Sequence, residues 1–336
     1  MNICTAIIGL GPNTPGKGGA HSISYLHAAS YQACDGFEIV GACSRTQKNV
    51  DDFCAEYPTA KGYQDYKQML SELRPEVVSI CAFAPDREAM VNAALDCGAK
   101  GVIIEKPFAL TLDAAERMMA KADACEARLF VNHQRRYGKP FEAFRDAAAQ
   151  VGQVLSVDIV QPFGNILDFG SHLIDAALFV LGKERQVDNL FATVDWHGAQ
   201  DWQGTKVESR SLASIFFNDG VRLTYEAGNN PTVKHPLLRL NGSLGFAELH
   251  LEPADDVPNV FRAKLAGSTD IVSLDSIEHI HHSEDGALYM KRAVADIYKA
   301  MTEGTETRIE SAEAYRGMQI MMGIYQSAKE QATVKL

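Results

Sequence analysis

The stretch Gly101–Phe108, GVIIEKPF, decides how this chain is read. Val102-Ile103-Ile104 has the apolar, β-branched make-up of a buried parallel strand, and the run stops at Glu105-Lys106-Pro107, where charge replaces apolar surface. In an open α/β sheet, ligands sit outside the carboxyl ends of the strands, so a lysine held there by a rigid proline points at chemistry. A second stretch, LDFGSHLIDAALFVLG (Leu167–Gly182), offers Asp168, His172 and Asp175 at helical spacing.

Upstream, residues 3–8 read as a buried strand leading into Gly9-Leu10-Gly11. Two glycines so spaced allow a tight turn and close approach of backbone to a pyrophosphate at a helix N-terminus. The same corner also uses glycine for steric reasons alone. The longer GxGxxG pattern is broken: Thr14 stands where the third glycine belongs, and Pro12 to Ile23 (PNTPGKGGAHSI) reads as an insertion in the turn. Ser24 then takes the third glycine's place, with Gly18 as the alternative alignment, and a helical run resumes near residues 25–32. A second strand, GFEIVGACSR (Gly36–Arg45), ends in Ser44-Arg45 where an NAD-binding fold commonly presents a carboxylate to the ribose. A hydroxyl and a guanidinium suit a 2′-phosphate, which favours NADP(H) and leaves NAD(H) open, with the arginine stacking on adenine.

Helix and strand then alternate. Helices are expected over 46–57, 66–73, 88–97 (stopped by Gly98) and 112–126, and strands over 76–84 (stopped by Pro85-Asp86), 101–105 and 128–132. This alternation implies right-handed crossovers and a doubly wound parallel sheet. The second half differs, with strands expected over 154–160, 190–195, 210–218, 221–227, 237–241 and 246–251, and Asn218-Asp219-Gly220 as a hairpin turn. Trp196 and Trp202 flank a polar loop, and helices over 286–303 and 311–330 finish the chain. The fold class is therefore α/β: a Rossmann-type domain over 1–128, then an α+β domain over 129–336 with a large open, mostly antiparallel sheet. One face of that sheet is covered by helices and the other needs a partner or polar cover, so a homo-oligomer is expected.

At 336 residues, two domains are the natural count, and 46% hydrophobic with 22% charged residues is ordinary for a globular protein. A net charge of -11 with no basic patch argues against nucleic acid or an anionic membrane as partner. The seven cysteines all fall in the first 125 residues without a CxxC pair, which suits reduced thiols in a cytoplasmic protein. No apolar segment is long enough to cross a bilayer. His279-Ile280-His281-His282 lacks an accompanying ligand set and reads as a histidine-rich strand or loop rather than a metal site.

Taken in order, the GxG turn, the Ala84-Pro85 stop, Glu105-Lys106-Pro107, Asn132-His133-Gln134-Arg135-Arg136-Tyr137 and Asp168-xxx-His172-xx-Asp175 give the chain a near full-length resemblance to the glucose-fructose oxidoreductase / inositol dehydrogenase / MocA family. The resemblance implies reversible nicotinamide-dependent oxidation of sugars, polyols and related alcohols, and a homodimer or homotetramer formed through the C-terminal sheet. It implies a cofactor site at Gly9, Gly11, Ser44, Arg45, Ala84, Pro85, Glu105 and Lys106, with a Lys106–Pro107 bond that is often cis in relatives. Lys106, Asp168 and His172 match the catalytic groups, and Gln134, Arg135, Asp168 and His172 fall where relatives often touch substrate. Two features depart from the pattern: the enlarged glycine loop, and a short link, QPFGNI (Gln161–Ile166), before Asp168.

The chemistry fits these residue types. Oxidising a secondary alcohol requires a proton acceptor, for which histidine is suited near neutrality. A helix from about Asp168 or Ser171 to Leu181 would place His172 near its N-terminus and favour the neutral ring, while Asp168 and Asp175 would orient it and stabilise its charged form. Lys106 would stabilise charge developing on the substrate oxygen. Each motif alone has a structural reading: Glu105-Lys106 as a solvated strand end, Asp168/His172 as a helix cap with a packed histidine, Arg135-Arg136 as surface charge, Tyr137 as a core aromatic, and His133 as structural. Two rival functions share the fold: a redox-neutral NAD-dependent glycosidase, and a non-catalytic sugar or nucleotide sensor.

Overall fold

The apolar runs of the first 132 residues pair side by side in the computed structural model, which describes residues 2–13, 22–228, 235–251, 261–274 and 283–336. In chain order they are β1 (Ile3–Ile8), α1 (Ile23–Gln32), β2 (Phe37–Cys43), α2 (Gln47–Glu56), β3 (Lys61–Tyr63), α3 (Tyr66–Leu73), β4 (Val77–Ile80), α4 (Ala84–Asp96), β5 (Gly101–Glu105), α5 (Leu112–Ala124) and β6 (Arg128–Asn132). The strands lie in the order β3-β2-β1-β4-β5-β6 and every pairing is parallel. Sequence order reverses between β1 and β4, which makes their carboxyl ends the switch point of the sheet. Local signals set the helices. The Asp65 side chain caps α3 by accepting the Lys67 N–H at 2.8 Å, and Thr111 caps α5 by accepting the Ala114 N–H at 3.3 Å.

The strand expected over 76–84 ends at Ile80, and Ala84 and Pro85 instead open α4. Proline is tolerated in the first helical turn because no intrahelical partner waits there for its missing N–H. The three-residue β3 was too short to register as a period in the sequence. Gly18 and the rest of residues 14–21, and the histidine-rich stretch 279–282, lie outside the described residues.

Two compact units divide the chain: Met1–Gln134 with His281–Tyr315, and Arg135–Ile280 with Arg316–Leu336. The chain thus passes between units more than once, where a single cut after residue 128 was expected. Within the first unit, the later helix α8 (Ser283–Glu303, numbered after the elements below) packs along α1. The Tyr298 ring meets Phe37 edge-on at 5.5 Å, and a Cβ on Gly36 would lie 2.3 Å from that ring. Arg128 reinforces the junction, donating to the carbonyls of Ala300 at 2.9 Å and Thr305 at 2.7 Å.

The second unit holds α6 (Lys139–Ala147), β7 (Val154–Gln161), a π-helical turn at Ile166–Gly170 running into α7 (Ser171–Leu181), β8 (Val187–Asp195), β9 (Gln200–Trp202), β10 (Thr205–Val207), β11 (Arg210–Phe217), β12 (Arg222–Ala227), β13 (Leu237–Gly242), β14 (Phe246–His250), β15 (Phe261–Lys264) and β16 (Ile271–Leu274). After α8, helix α9 (Ser311–Glu330) begins in the first unit and continues into the second, where β17 (Val334–Lys335) follows. Nine strands form one sheet in the order β16-β15-β14-β13-β7-β12-β11-β8-β17, antiparallel except for the β7–β12 pair. The expected polar loop after Trp196 leads into a separate β9–β10 hairpin that includes Trp202, and Trp196 stacks on Tyr325 at 5.9 Å.

Strand register sorts this sheet's residues onto two faces. Leu212 and Phe216 of β11 share a face with Phe191 of β8, and they are 54%, 41% and 45% exposed. On neighbouring strands the same face turns polar: Asp158 accepts from Thr224 and from Asn241, and Arg239 pairs with Glu248. The opposite face is apolar and buried, with Val157, Ile159, Ile215, Leu223 and Leu238 at 1% exposure or less.

Candidate functional site

The glycine turn at the switch point is built for close backbone approach. Gly9 has φ +92°, and a Cβ there would lie 2.6 Å from the backbone nitrogen of Ala82. A Cβ on Gly11 would collide with Ser22 at 2.6 Å, and the Gly11 N–H donates to Ser24 Oγ at 3.3 Å. Ser24 is fully buried in the first turn of α1, where a small side chain lets helix and turn close together. This cradle, open only to glycine and followed by a helix N-terminus, fits a dinucleotide pyrophosphate. At the end of β2, Ser44 Oγ donates to the Leu10 carbonyl at 3.1 Å, so its single proton is already engaged. Arg45 beside it is exposed.

At the end of β5, Glu105 is held by Asn132 of the quoted motif and by His27, which the sequence reading did not single out. Its Oε1 receives His27 Nε2 at 2.9 Å and Asn132 Nδ2 at 2.6 Å. His27 Nδ1 lies 2.9 Å from Ser79 Oγ, which is 2.6 Å from the Tyr31 hydroxyl. His27 and Ser79 are fully buried, while the Glu105 side chain is 13% exposed. Burial alone would raise the Glu105 carboxyl, but the His27 bond and charge, then Asn132 and the Arg87 charge, hold it below the usual range. For His27, burial works against protonation, yet the Cys81 sulfur and the Glu105 carboxylate outweigh it and lift the ring to about 10. The result is a buried ion pair in which the shared carboxylate oxygen also receives a neutral amide donor.

Lys106 follows at partial exposure, joined to Pro107 by a cis peptide bond. Arg87, in the first turns of α4 and 2% exposed, donates to the carbonyls of Pro107, Phe108 and Ala82. Ala84 and Pro85 form the first turn of the same helix. At the end of β6, two buried amide oxygens, Asn132 Oδ1 and Gln134 Oε1, have no hydrogen-bond partner among the described residues. Buried acceptors in that condition are sites where a hydroxyl-bearing ligand gains affinity.

In the second unit α7 runs from Ser171 to Leu181, within the expected limits, but a π-helical turn from Ile166 extends the helical path ahead of it. The Ile166 N–H is taken by Glu208 Oε1 at 2.7 Å and the Asp168 N–H by Asn165 Oδ1 at 2.9 Å. Asp168 therefore occupies the first turn, at the positive end of the helix, and His172 lies beyond it. The expectation that the dipole acts directly on His172 moves to Asp168. Asp168 and His172 are each partly exposed, and the His172 ring meets Phe169 edge-on at 6.2 Å. Arg135, 5% exposed, lies over the Phe169 ring at 5.0 Å, so Arg135, Phe169 and His172 form one cluster.

Asp175, expected beside His172, belongs to the core. It is 3% exposed and bound by Arg136 through Nε at 2.9 Å and Nη2 at 2.8 Å. Arg136, Tyr137 and His133 are likewise buried. The short link before Asp168 is braced from below: Gln161 Nε2 donates to the Phe163 carbonyl at 2.7 Å, and its Oε1 accepts from the Tyr225 hydroxyl at 2.8 Å. A cavity of about 330 Å³ opens beside this link, lined by Phe163, Asn165, Glu208 and Gly228 among others.

A family model described as an oxidoreductase family with an NAD-binding Rossmann fold matches residues 5–133, and that family's C-terminal alpha/beta domain matches residues 157–336. Among curated proteins, the chain is 29% identical to D-apiose dehydrogenase of Paraburkholderia graminis over 49% of its own length, which spans about half of that relative (48%). It is 23% identical to D-glucoside 3-dehydrogenase of Escherichia coli over 93% of both chains. Among solved structures, an oxidoreductase from Agrobacterium radiobacter, in complex with NAD+, L-tartaric acid and magnesium, shares the fold at TM-score 0.81 and 18% identity, covering 100% of this chain and 98% of that one.

The His27–Glu105 pair gives stability a definite pH dependence. The share carried by His27 is complete below its ordinary 6.5 and falls away as pH rises toward about 10. The share carried by Glu105 is present above its ordinary 4.5 and is lost as pH falls below it. His27→Phe leaves the carboxylate buried without its cation, which is expected to cost about 3–5 kcal/mol. Urea unfolding across pH should show the largest gap between wild type and variant at about pH 5–6.5, narrowing toward pH 10. A gap that does not change with pH would rule out the ion pair.

Proposed function

The chain belongs to the Gfo/Idh/MocA family of NAD-binding oxidoreductases, and from that premise we propose that it moves a hydride between a nicotinamide cofactor and a sugar, polyol or related hydroxy compound. The reacting group is a secondary alcohol or its carbonyl. The observation that carries this reading is the buried anchoring of Glu105 beside Lys106 at the carboxyl end of a central strand. The dehydrogenase names of the two curated relatives support the substrate class.

When bound, the nicotinamide supplies the acceptor or donor of hydride. Gly9 and Gly11 give the dinucleotide backbone room, and Ala84, Pro85, Glu105 and Lys106 line its nicotinamide end. Lys106 donates to the substrate oxygen and stabilises the charge that develops there as the proton leaves. His172 takes that proton, oriented by Asp168, and returns it in the reverse direction. Gln134 and Arg135 hold the remaining hydroxyls, the amide oxygen of Gln134 being an acceptor already buried and unsatisfied. NADP(H) is the preferred cofactor. With the Ser44 proton engaged by Leu10, recognition of a 2′-phosphate rests on Arg45.

The exposed apolar patch of Phe191, Leu212 and Phe216 seats a second copy of the chain, giving a homodimer or homotetramer of a cytoplasmic enzyme. Among the described residues no helix is long and apolar enough to cross a membrane.

Three measurements test this reading. Lys106→Ala and His172→Ala should each lower kcat by about 100-fold or more on whichever sugar or polyol the wild type oxidises, with cofactor affinity largely kept; full activity in either variant removes it from the mechanism. Arg45→Ala should weaken NADP+ binding by about 10-fold or more and NAD+ binding by less than about threefold, and an equal loss for both would return the preference to NAD+. Leu212→Asp should shift sedimentation toward the monomer; an unchanged profile would place the interface elsewhere.

A further inference from the structure

Two buried grips bracket Lys106 in the chain. On the amino-terminal side, the Glu105 carboxylate is fixed by His27 at 2.9 Å and Asn132 at 2.6 Å. On the carboxy-terminal side, Arg87 Nη1 donates to the Pro107 carbonyl and, at 3.3 Å, to the Phe108 carbonyl. The same guanidinium reaches across with Nη2 to the Ala82 carbonyl at 3.1 Å. Ala82 is the residue whose backbone abuts Gly9, at the distance that forbids any side chain there. One planar fork thus ties the loop after β5 to the loop after β4, and through it to the glycine turn after β1.

Packing alone does not account for an arginine here. Arg87 is 2% exposed, its Nε has no partner, and among the described residues no carboxylate is hydrogen-bonded to it. Its counter-charge, Glu105, acts through space. A buried cation so placed destabilises the fold relative to an apolar side chain of the same volume. Carbonyls at the ends of two strands, facing different loops, need several donors fanned in one plane, and only a guanidinium offers them.

We propose that Arg87 is a positioning residue that locks the backbone carrying Lys106 in register with the glycine turn at Gly9. The inference rests on the reading of Lys106 as the group that meets the substrate oxygen. It goes beyond that reading by assigning the geometry of Lys106 to a side chain on a different helix, one with no part in the chemistry itself.

Arg87→Met keeps the volume and removes the fork, and Arg87→Lys keeps the charge with a single donor head. Arg117→Met on the exposed side, where Arg117 pairs with Glu88, serves as the control. On the substrate that wild type oxidises, Arg87→Met is expected to lower kcat on the order of 10- to 100-fold, with KM and the NADP+ dissociation constant held within about threefold. Arg87→Lys should recover part of that loss and Arg117→Met should show none. The second readout does not need turnover: with lysines carbon-13 dimethylated and Lys106 identified through Lys106→Arg, the titration of the Lys106 amine should shift in Arg87→Met and return toward wild type in Arg87→Lys. A folded Arg87→Met protein with wild-type kcat, or with an unmoved Lys106 titration, overturns the proposal, as does a loss of kcat matched by an equal loss of NADP+ affinity. If Arg87→Met fails to fold, Arg87→Lys carries the test, and its Lys106 amine must shift in the same sense. If wild type oxidises no sugar or polyol, the functional reading fails, while the amine titration still decides the role of Arg87.

Discussion

A carboxylate cannot stay ionised inside a protein unless donors replace the water it has lost, and Glu105 is the place where this chain meets that demand. Two side chains from different elements, His27 from α1 and Asn132 from β6, converge on one of its oxygens. His27 is supported in turn by Ser79 of β4, and Ser79 by Tyr31. The network therefore crosses three neighbouring strands and one covering helix, and it sits at the end of the sheet where the order of strands reverses. Low local dielectric strengthens such a network when it is complete and makes any missing member costly. The geometry next to Lys106 is thereby fixed by groups that need not touch a ligand.

The second unit solves a similar problem differently. Its buried charge pair, Arg136 with Asp175, is bidentate and closed upon itself, so it steadies the helix that carries His172 without presenting charge outward. Around the Phe169 ring that unit gathers His172, edge-on at 6.2 Å, and Arg135, whose guanidinium lies 5.0 Å from its centre. The π-helical turn before α7 sets this division, because its early start places Asp168, not His172, where the unpaired N–H groups of the helix gather.

Much of this was legible in the sequence, for identifiable reasons. Parallel strands buried on both faces read as unbroken apolar runs, so β5 and β6 were found from the sequence, and helical spacing placed α3 at its observed limits. Antiparallel strands with one covered face read as alternation, which located β11 to β14. What escaped was of two kinds. Very short strands such as β3, β9 and β10 have no period to detect. Single polar residues such as His27 and Ser79 look like interruptions until their partners are known, because the partners are dozens of residues away, and Arg87, between Asp86 and Glu88, reads as surface charge until its carbonyl partners are seen. Asp175 misled for the converse reason: helical spacing gives a shared face but not which neighbour occupies it, and Arg136 lies 39 positions upstream.

The return of α8 to the nucleotide unit has a consequence for biosynthesis. Phe37 and Gly36 are laid down early, yet the ring that covers them, Tyr298, emerges from the ribosome after almost the entire second unit has been made. At ordinary translation speeds that interval is on the order of ten seconds or more. Throughout it the nascent Rossmann sheet stands with one flank bare, so its maturation waits on a segment about 260 residues further along the chain.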